Sequence, residues 1–188
     1  MPCLPRLELT RDIRQPRTVG YINQEPEDIR NAEAWIGPIH EYTDVHVAGV
    51  LNKLRSCIMF TSWVITQAIE WLAPESFAMD GRWVHSCYIE QTTIDDLCSS
   101  VPFHLNWRSE ANDKKPDQLE TIADLIGALS LVWPLGGAIR SPRAPERQRA
   151  WIWGRLRKIS QDCGLEQASL LEARIATTLD SILDRSLY

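Results

Sequence analysis

Residues 122–139 read IADLIGALSLVWPLGGAI, an eighteen-residue run whose single formal charge is Asp124. Arranged as a helix, this run is apolar on almost every side, and one face stacks four large side chains: Ile122, Ile126, Leu129 and Trp133. Such a helix either spans a membrane or lies inside a globular core. Because Pro134 and a glycine pair interrupt its end, too few helical positions remain to cross a bilayer. We therefore expect a central, buried helix.

The rest of the chain shows helical periodicity in several further segments and no useful run of period-two alternation. An N-terminal arm (residues 1–24) and an exposed polar loop (106–118) lack any such period. The predicted helices are residues 25–35, 43–72, 82–100, 145–162 and 166–185. The expected fold is all-α: a single domain over residues 1–188, built as a bundle of about six helices around the central one.

Three of these segments carry recognisable apolar sides. In residues 43–72 the apolar side comprises Val47, Leu51, Leu54, Ile58, Ile65, Ile69 and Leu72, widened by Phe60, Val64 and Trp71. In residues 82–100 and just beyond, the predicted buried stripe is Trp83, Cys87, Ile94, Leu97, Cys98 and Val101. In residues 145–162 the side chains expected to point inward are Ile152, Leu156 and Ile159.

Composition excludes several classes of protein. The net charge of −5 and pI of about 5.4 argue against nucleic acid as the main partner. Residues 140–158 hold seven Arg or Lys, which form either a solvated helix surface or a phosphate-binding patch. The five cysteines form no C-x-x-C pair, so neither a zinc framework nor a secreted disulfide scaffold is indicated. Without a signal peptide, we expect an intracellular protein, cytoplasmic or nuclear, that does not bind a membrane.

Several short motifs together resemble a known family. They are LCSSVPFHL (97–105), WPL (133–135), ERQRAWI (146–152), RLRKI (155–159) and GLEQA (164–168). Their order over residues 94–171 resembles the C-terminal helical region of fungal binuclear zinc-cluster transcription factors. The resemblance implies an all-α, regulatory type of domain of fungal origin. The six-cysteine cluster of that family is absent from this sequence, and no heptad run for dimerisation stands beside it. We therefore expect either a truncated regulator or a helical shell recruited to bind a small molecule.

The candidate catalytic residues are polar groups on apolar helix faces, because no G-x-S-x-G, P-loop, dinucleotide or H-E-x-x-H motif occurs. Glu90 lies near the centre of its helix's apolar stripe, where desolvation would raise its pKa and suit a general acid or base. The alternative is an edge Glu paired with an arginine from another helix. His46 shares a side with the aromatic residues of its helix and could move a proton. A hydrogen-bonded core histidine is the alternative.

Three more residues complete the candidate catalytic set. Asp124 is either a buried acid or simply a stabilising charge near a helix N-terminus. His85 and Tyr88 lie one turn apart and could act on the same substrate.

Eight tryptophans indicate either a well-filled core or a pocket for a bulky apolar ligand. The predicted ligand-binding residues are Phe60, Trp63, Trp71, Trp83, His104 and Trp133. Four histidines without paired spacing predict no metal site.

Two functions fit these observations, beside a plainer third in which the chain is an interaction module whose tryptophans only fill its core. The first is a cofactor-independent enzyme, such as a cyclase, pericyclase or isomerase, acting on a hydrophobic secondary-metabolite intermediate by shape and acid–base help. The second is a non-enzymatic, ligand-sensing or dimerising transcriptional regulator without a DNA-binding domain of its own. The expected partners are a hydrophobic small molecule and, in a homodimer, a second copy of the chain. No cofactor and no direct contact with nucleic acid are expected.

Overall fold

The computed structural model describes residues 16–105 and 122–163, and for residues 122–124 and 163 it describes the backbone alone. This part of the chain is mostly helical and contains four α-helices, a short 3₁₀ helix at Phe77–Met79 and one small sheet. The strands are β1 (Arg17–Ile22) and β2 (Gly37–Glu41). The helices are α1 (Val45–Leu72), α2 (Gly81–His104), α3 (Ile122–Ala138) and α4 (Glu146–Cys163).

Helices α1 and α2 form an antiparallel hairpin. Both begin at an aspartate cap: Asp44 accepts hydrogen bonds from the first turn of α1, and Asp80 does so for α2. Asn52, early in α1, contacts Ser100, late in α2, at 3.0 Å. The other ends meet where the indole of Trp83 donates to Glu70. The hairpin therefore brings residues almost fifty positions apart into contact.

Helix α3 runs in the same direction as α1 and packs closely on the hairpin. A Cβ at Gly127 would lie only 2.6 Å from the carbonyl oxygen of His104, so glycine permits this approach of α3 to the end of α2. Further along, Gly137 lies opposite Met59 of α1. The main core is the space between α2, α3 and α4, and its fully buried large side chains include Ile94, Leu97, Leu131, Leu135, Trp151, Ile152, Leu156 and Ile159.

Residues 25–35 do not form the predicted helix. They are turns and bends laid against α4, and their carbonyl groups accept hydrogen bonds from that helix. The indole of Trp151 donates to the carbonyl of Ala32 at 2.9 Å, and the Arg155 guanidinium donates to that of Arg30 at 3.0 Å. Because α4 uses these carbonyls, tertiary hydrogen bonds replace the helical ladder that the local sequence favours.

The small sheet is a second correction, since no strand was expected. Strands β1 and β2 pair antiparallel, with Arg17 opposite Glu41 and an irregularity between Thr18 and Gly20. The predicted arm over residues 1–24 thus includes β1. The fold is broadly all-α, but with four α-helices in the described ranges rather than about six. The predicted loop 106–118 and the predicted helix 166–185 lie outside those ranges.

The predicted inner faces of α2 and α4 are confirmed, apart from Trp83 and Cys87, which are only partly buried. Helix α3 was predicted to be buried throughout and to be interrupted at Pro134. It is buried on one side only, and it continues through Pro134 to Ala138. Its exposed side carries Leu125, Ile126, Leu129 and Trp133, with Trp133 71% exposed. No helix in the described residues is long and apolar enough to cross a membrane.

Helix α1 departs furthest from expectation, because most of its apolar side faces outward. Of the seven residues that define this side, Ile69 is the one that is buried. The inner face is instead small or polar: Ala48, Gly49, Asn52, Arg55, Met59, Ser62, Thr66 and Ile69. Helix α1 thus buries a face of small and polar residues and leaves most of its large apolar residues in contact with solvent.

Candidate functional site

The polar inner face of α1 forms a buried hydrogen-bond network with the C-terminal end of α2. The amide of Asn52 donates to the Ser100 hydroxyl at 3.0 Å and contacts Nε2 of His104 at 2.9 Å. Its carbonyl oxygen accepts from the Arg55 guanidinium at 2.7 Å. Asn52 and Ser100 have no exposed surface at all. The donor and the acceptor group of this buried asparagine are both hydrogen-bonded. Such a residue fixes the register of the two helices.

These contacts determine the protonation of His104. Since the Asn52 amide can only donate, Nε2 of His104 accepts, and the ring proton lies on Nδ1. Nδ1 is 3.2 Å from the Ser130 hydroxyl, which in turn donates to the carbonyl of Gly127. Burial and the neighbouring Arg55 charge lower the pKa of His104 from 6.5 to about 4. His104 is therefore a neutral link between α1, α2 and α3.

Arg55 is the charged member of this network and is itself buried. Its guanidinium donates to the Tyr42 hydroxyl at 2.8 Å and lies 5.8 Å from the centre of that ring. No carboxylate of the described residues forms an ion pair with it. Burial raises the pKa of Tyr42, and the Arg55 charge opposes this rise. The arginine is thus held by neutral oxygens and an aromatic face.

A second polar cluster surrounds Glu90 on α2. This carboxyl group is 1% exposed and accepts one hydrogen bond, from the Ser141 hydroxyl to Oε1 at 2.6 Å. The other oxygen, Oε2, has no hydrogen-bond partner among the described residues. Burial raises the pKa of Glu90, while Ser141 and the Arg143 charge oppose the increase. The predicted burial of Glu90 and its raised pKa agree with the structure.

Arg143, whose charge acts on Glu90, lies at the loop end of the helical hairpin, where α1 connects to α2. Its guanidinium lies 5.0 Å from the centre of the Trp83 ring and 3.5 Å from the carboxylate of Glu70. Burial raises the pKa of the nearby Cys87 thiol, so this cysteine stays protonated near neutral pH. The cluster offers a buried acid and a cation, but no activated nucleophile.

The other catalytic candidates do not join Glu90. His46, His85 and Tyr88 lie exposed on the surface, and the side chain of Asp124 is outside the described part of the structure. The backbone N–H of His46 donates to the Asp44 cap. His46 does share a side of α1 with the exposed aromatic residues, as predicted, but that side faces solvent. No described contact links any two of these candidates.

The candidate ligand-binding aromatic residues do not enclose a pocket. Phe60, Trp63, Trp71 and Trp133 are all exposed, with Trp71 83% exposed. Trp83 is half-buried and packs edge-on against Phe77. His104 belongs to the buried network described above. The aromatic excess of the sequence therefore lies largely on the surface.

A polar cleft of about 490 Å³ lies elsewhere, between α4 and the 30–33 turn. Its charged lining residues are Arg30, Glu33, Arg155, Arg157, Lys158 and Asp162. None of the residues predicted as catalytic or ligand-binding lines it. In the described ranges, no group of His, Cys, Asp and Glu side chains is placed to hold a metal ion.

Sequence reasoning missed most of the partners in both clusters, above all Asn52, Arg55, Ser141 and Arg143. One signal was available: in α1, Asn52, Arg55, Ser62 and Thr66 recur at the spacing of a single helical face. A polar face with that spacing is normally exposed, so it did not suggest a buried network. The contact between Glu90 and Ser141 joins residues fifty-one positions apart and had no local signal.

Comparison with known proteins gives one informative match. Over 161 residues the chain is 30% identical to transcription factor dbaG of Emericella nidulans, and the match covers 84% of this chain. It spans only 37% of that protein. No protein-family model and no solved structure matches the chain. The chain is therefore similar to a part of a fungal transcription factor, and the part that it shares is mostly helical.

Proposed function

We propose that this chain is a regulatory module of the fungal transcription-factor type, which acts inside the cell by contact with another protein. The observation that carries the proposal is the orientation of α1. Its polar face is buried and hydrogen-bonded through Asn52 and Arg55, whereas most of its large apolar side chains face solvent. A helix whose apolar side remains open is typical of a protein-docking surface.

The similarity to a transcription factor supports the same conclusion, as does the dispersal of the catalytic candidates. A reaction centre needs its groups within hydrogen-bond reach of one another or of a shared substrate. Here Glu90 is buried in the third turn of α2, while His46 is at the first turn of α1 and His85 is exposed. Contact with a protein needs no such convergence.

A second candidate is the cofactor-independent enzyme acting on a hydrophobic secondary-metabolite intermediate. It rests on Glu90 alone, because a buried carboxyl with a raised pKa and one open oxygen could act as an acid or base. Its test is incubation of the purified protein with an extract of a producing fungus, followed by mass spectrometry. A compound that changes mass with wild type but not with Glu90→Gln would support it. Equal results with both proteins would count against it.

The regulatory proposal is tested with a reporter gene. The full chain is fused to an unrelated DNA-binding domain whose operator precedes the reporter in a filamentous fungus. We expect the fusion to change expression relative to the DNA-binding domain alone. The double variant Leu54→Glu/Val64→Glu, on the outward side of α1, should abolish the change, and Glu90→Gln should preserve it. A fusion without effect would refute the regulatory role.

A matched control exists for the reporter experiment. Leu129 of α3 and Val84 of α2 are also exposed, at 39% and 51%, but neither belongs to α1. The variant Val84→Glu/Leu129→Glu introduces the same two residue changes away from the proposed surface. It should leave the reporter response intact, which would separate loss of the α1 surface from a general effect of added charge.

A further inference from the structure

The outward side of α1 has the periodicity of a helix-pairing surface. Its centre is a row of eight residues with alternating spacings of three and four, here called the outer stripe: Val47, Val50, Leu54, Cys57, Thr61, Val64, Ala68 and Trp71. All of them are exposed except Val47, which is partly buried. The spacing averages 3.5 residues, the repeat with which one helix keeps facing another over many turns.

Apolar residues also flank the outer stripe. Along one edge lies a row at seven-residue intervals: Leu51, Ile58, Ile65 and Leu72. Along the other edge are Lys53, Phe60 and Gln67, and Phe60 is 65% exposed. Lys53 is the single formal charge on this whole side, and its long stem can keep the ammonium group in water. Covering the surface would therefore bury almost no charge.

The surface is large enough for a stable interface. Helix α1 has 28 residues and is thus about 42 Å long. If a fully exposed large apolar side chain presents about 150–250 Å², the exposed apolar residues of this side offer roughly 800 Å². That exceeds the largest apolar patch of a typical monomer and equals one partner's share of a standard protein interface.

We propose that the outer stripe of α1 pairs with the outer stripe of a second copy of this chain, the two α1 helices running antiparallel. The inference rests on the proposed function, because it names the partner that covers this surface. An antiparallel pair centred on the stripe matches Val47 with Trp71, Val50 with Ala68, Leu54 with Val64 and Cys57 with Thr61. The largest residue of the stripe, Trp71, thus meets the smaller Val47, and the smallest, Ala68, meets the larger Val50.

A parallel pair would be less well packed. Trp71 would face Trp71 in one layer, and Ala68 would face Ala68 in the next. The first layer would be overpacked, and the second would leave a cavity beside it. In the antiparallel arrangement Phe60 and Ile58 each lie near the twofold axis and meet their own copies. The two helix dipoles then also oppose one another. The residues of the stripe are therefore self-complementary in one orientation, as a twofold interface requires.

The test is the mass of the full chain in solution, measured by light scattering and sedimentation over a concentration series. We expect wild type to be dimeric. Leu54→Glu/Val64→Glu places two facing carboxylates in each of two layers, one on either side of the central Cys57–Thr61 layers, and should raise the Kd of the dimer by roughly 100-fold or more. Val84→Glu/Leu129→Glu, with the same changes off the stripe, should remain dimeric. Circular dichroism verifies that each exposed substitution leaves the helices folded.

A charge-pairing variant tests the orientation. In Leu54→Glu/Val64→Lys, each glutamate faces a lysine of the other copy if the helices are antiparallel, so the dimer should re-form. In a parallel pair, like charges would face each other and the dimer would stay dissociated. A monomeric wild type overturns the inference, and so does a charge-paired variant that does not re-form the dimer.

The reporter experiment separates this inference from the proposed function. A monomeric chain whose fusion still changes reporter expression would remove the second copy as the partner and leave the regulatory role standing. A dimeric chain whose fusion has no effect would retain the pairing and remove the regulatory role. The two proposals can therefore fail independently.

Discussion

Protonation of His104 should make this protein sensitive to mild acid. In the folded chain the pKa of His104 is about 4, because the ring is 2% exposed and lies beside the Arg55 charge. In the unfolded chain it returns to about 6.5. Between these values the unfolded state binds a proton that the folded state does not, so stability falls as the pH decreases.

The size of this effect follows from the two pKa values. Relative to pH 7.5, His104 alone should remove about 2 kcal/mol of the free energy of unfolding at pH 5 and about 3 kcal/mol at pH 4. Urea unfolding monitored by circular dichroism at these pH values measures the loss. The perturbation is His104→Gln, which keeps an acceptor for Asn52 but cannot take up a proton.

Subtracting the variant's pH dependence from that of wild type isolates His104. Other groups titrate in both proteins, including His40, whose pKa is also lowered by burial, and Glu90, whose pKa is raised. Their contributions cancel in the difference. We expect wild type to lose about 2 kcal/mol more than His104→Gln between pH 7.5 and pH 5. Equal losses of stability in the two proteins, within about 0.5 kcal/mol, would refute the conclusion that His104 is buried and neutral.

Two further predictions concern packing and buried polarity. Gly154→Ala should destabilise the protein by about 2–3 kcal/mol, because a Cβ there would overlap the Arg30 carbonyl. Gly137→Ala, whose nearest neighbour would be 3.9 Å away, should instead be neutral or stabilising by up to about 1 kcal/mol, and thermal unfolding compares the two. Asn52→Ala should cost about 3 kcal/mol in urea unfolding, since it leaves several buried groups without partners. The exposed neighbour Lys53→Ala should change stability by less than about 0.5 kcal/mol, and similar losses in both would contradict the buried network.

Much of the helical structure was predictable from local pattern. Helices α1, α2, α3 and α4 begin and end within a few residues of the boundaries that apolar periodicity and prolines indicated. Local signals suffice there because a helix satisfies its own backbone and begins at a capping residue, although α2 and α3 continue through Pro102 and Pro134 rather than ending at them. The burial of Glu90 was also predictable from local pattern, because its neighbours on α2 form one apolar stripe.

The remaining features depended on contacts between distant residues. Residues 25–35 have the local sequence pattern of a helix. Their carbonyl groups instead accept hydrogen bonds from Trp151 and Arg155 of α4. The pairing of β1 with β2 likewise depends on a partner strand rather than on alternation within either strand. In both cases the backbone hydrogen bonds are made to residues far away in the sequence, which a local pattern does not indicate.

The sequence by itself determined where the helices lie, that their sides are amphipathic, and that the chain is similar to part of a transcription factor. Only the tertiary structure decided which side of α1 is inside. Asn52 and Arg55 can be buried because α2 supplies Ser100 and His104 as partners and the residue that follows β2 supplies the hydroxyl of Tyr42. A polar face becomes an inner face only when such partners meet it, and their positions depend on the whole fold. Burial of the polar face leaves the large apolar side of α1 facing outward. This outward side is the surface to which we assign the proposed function.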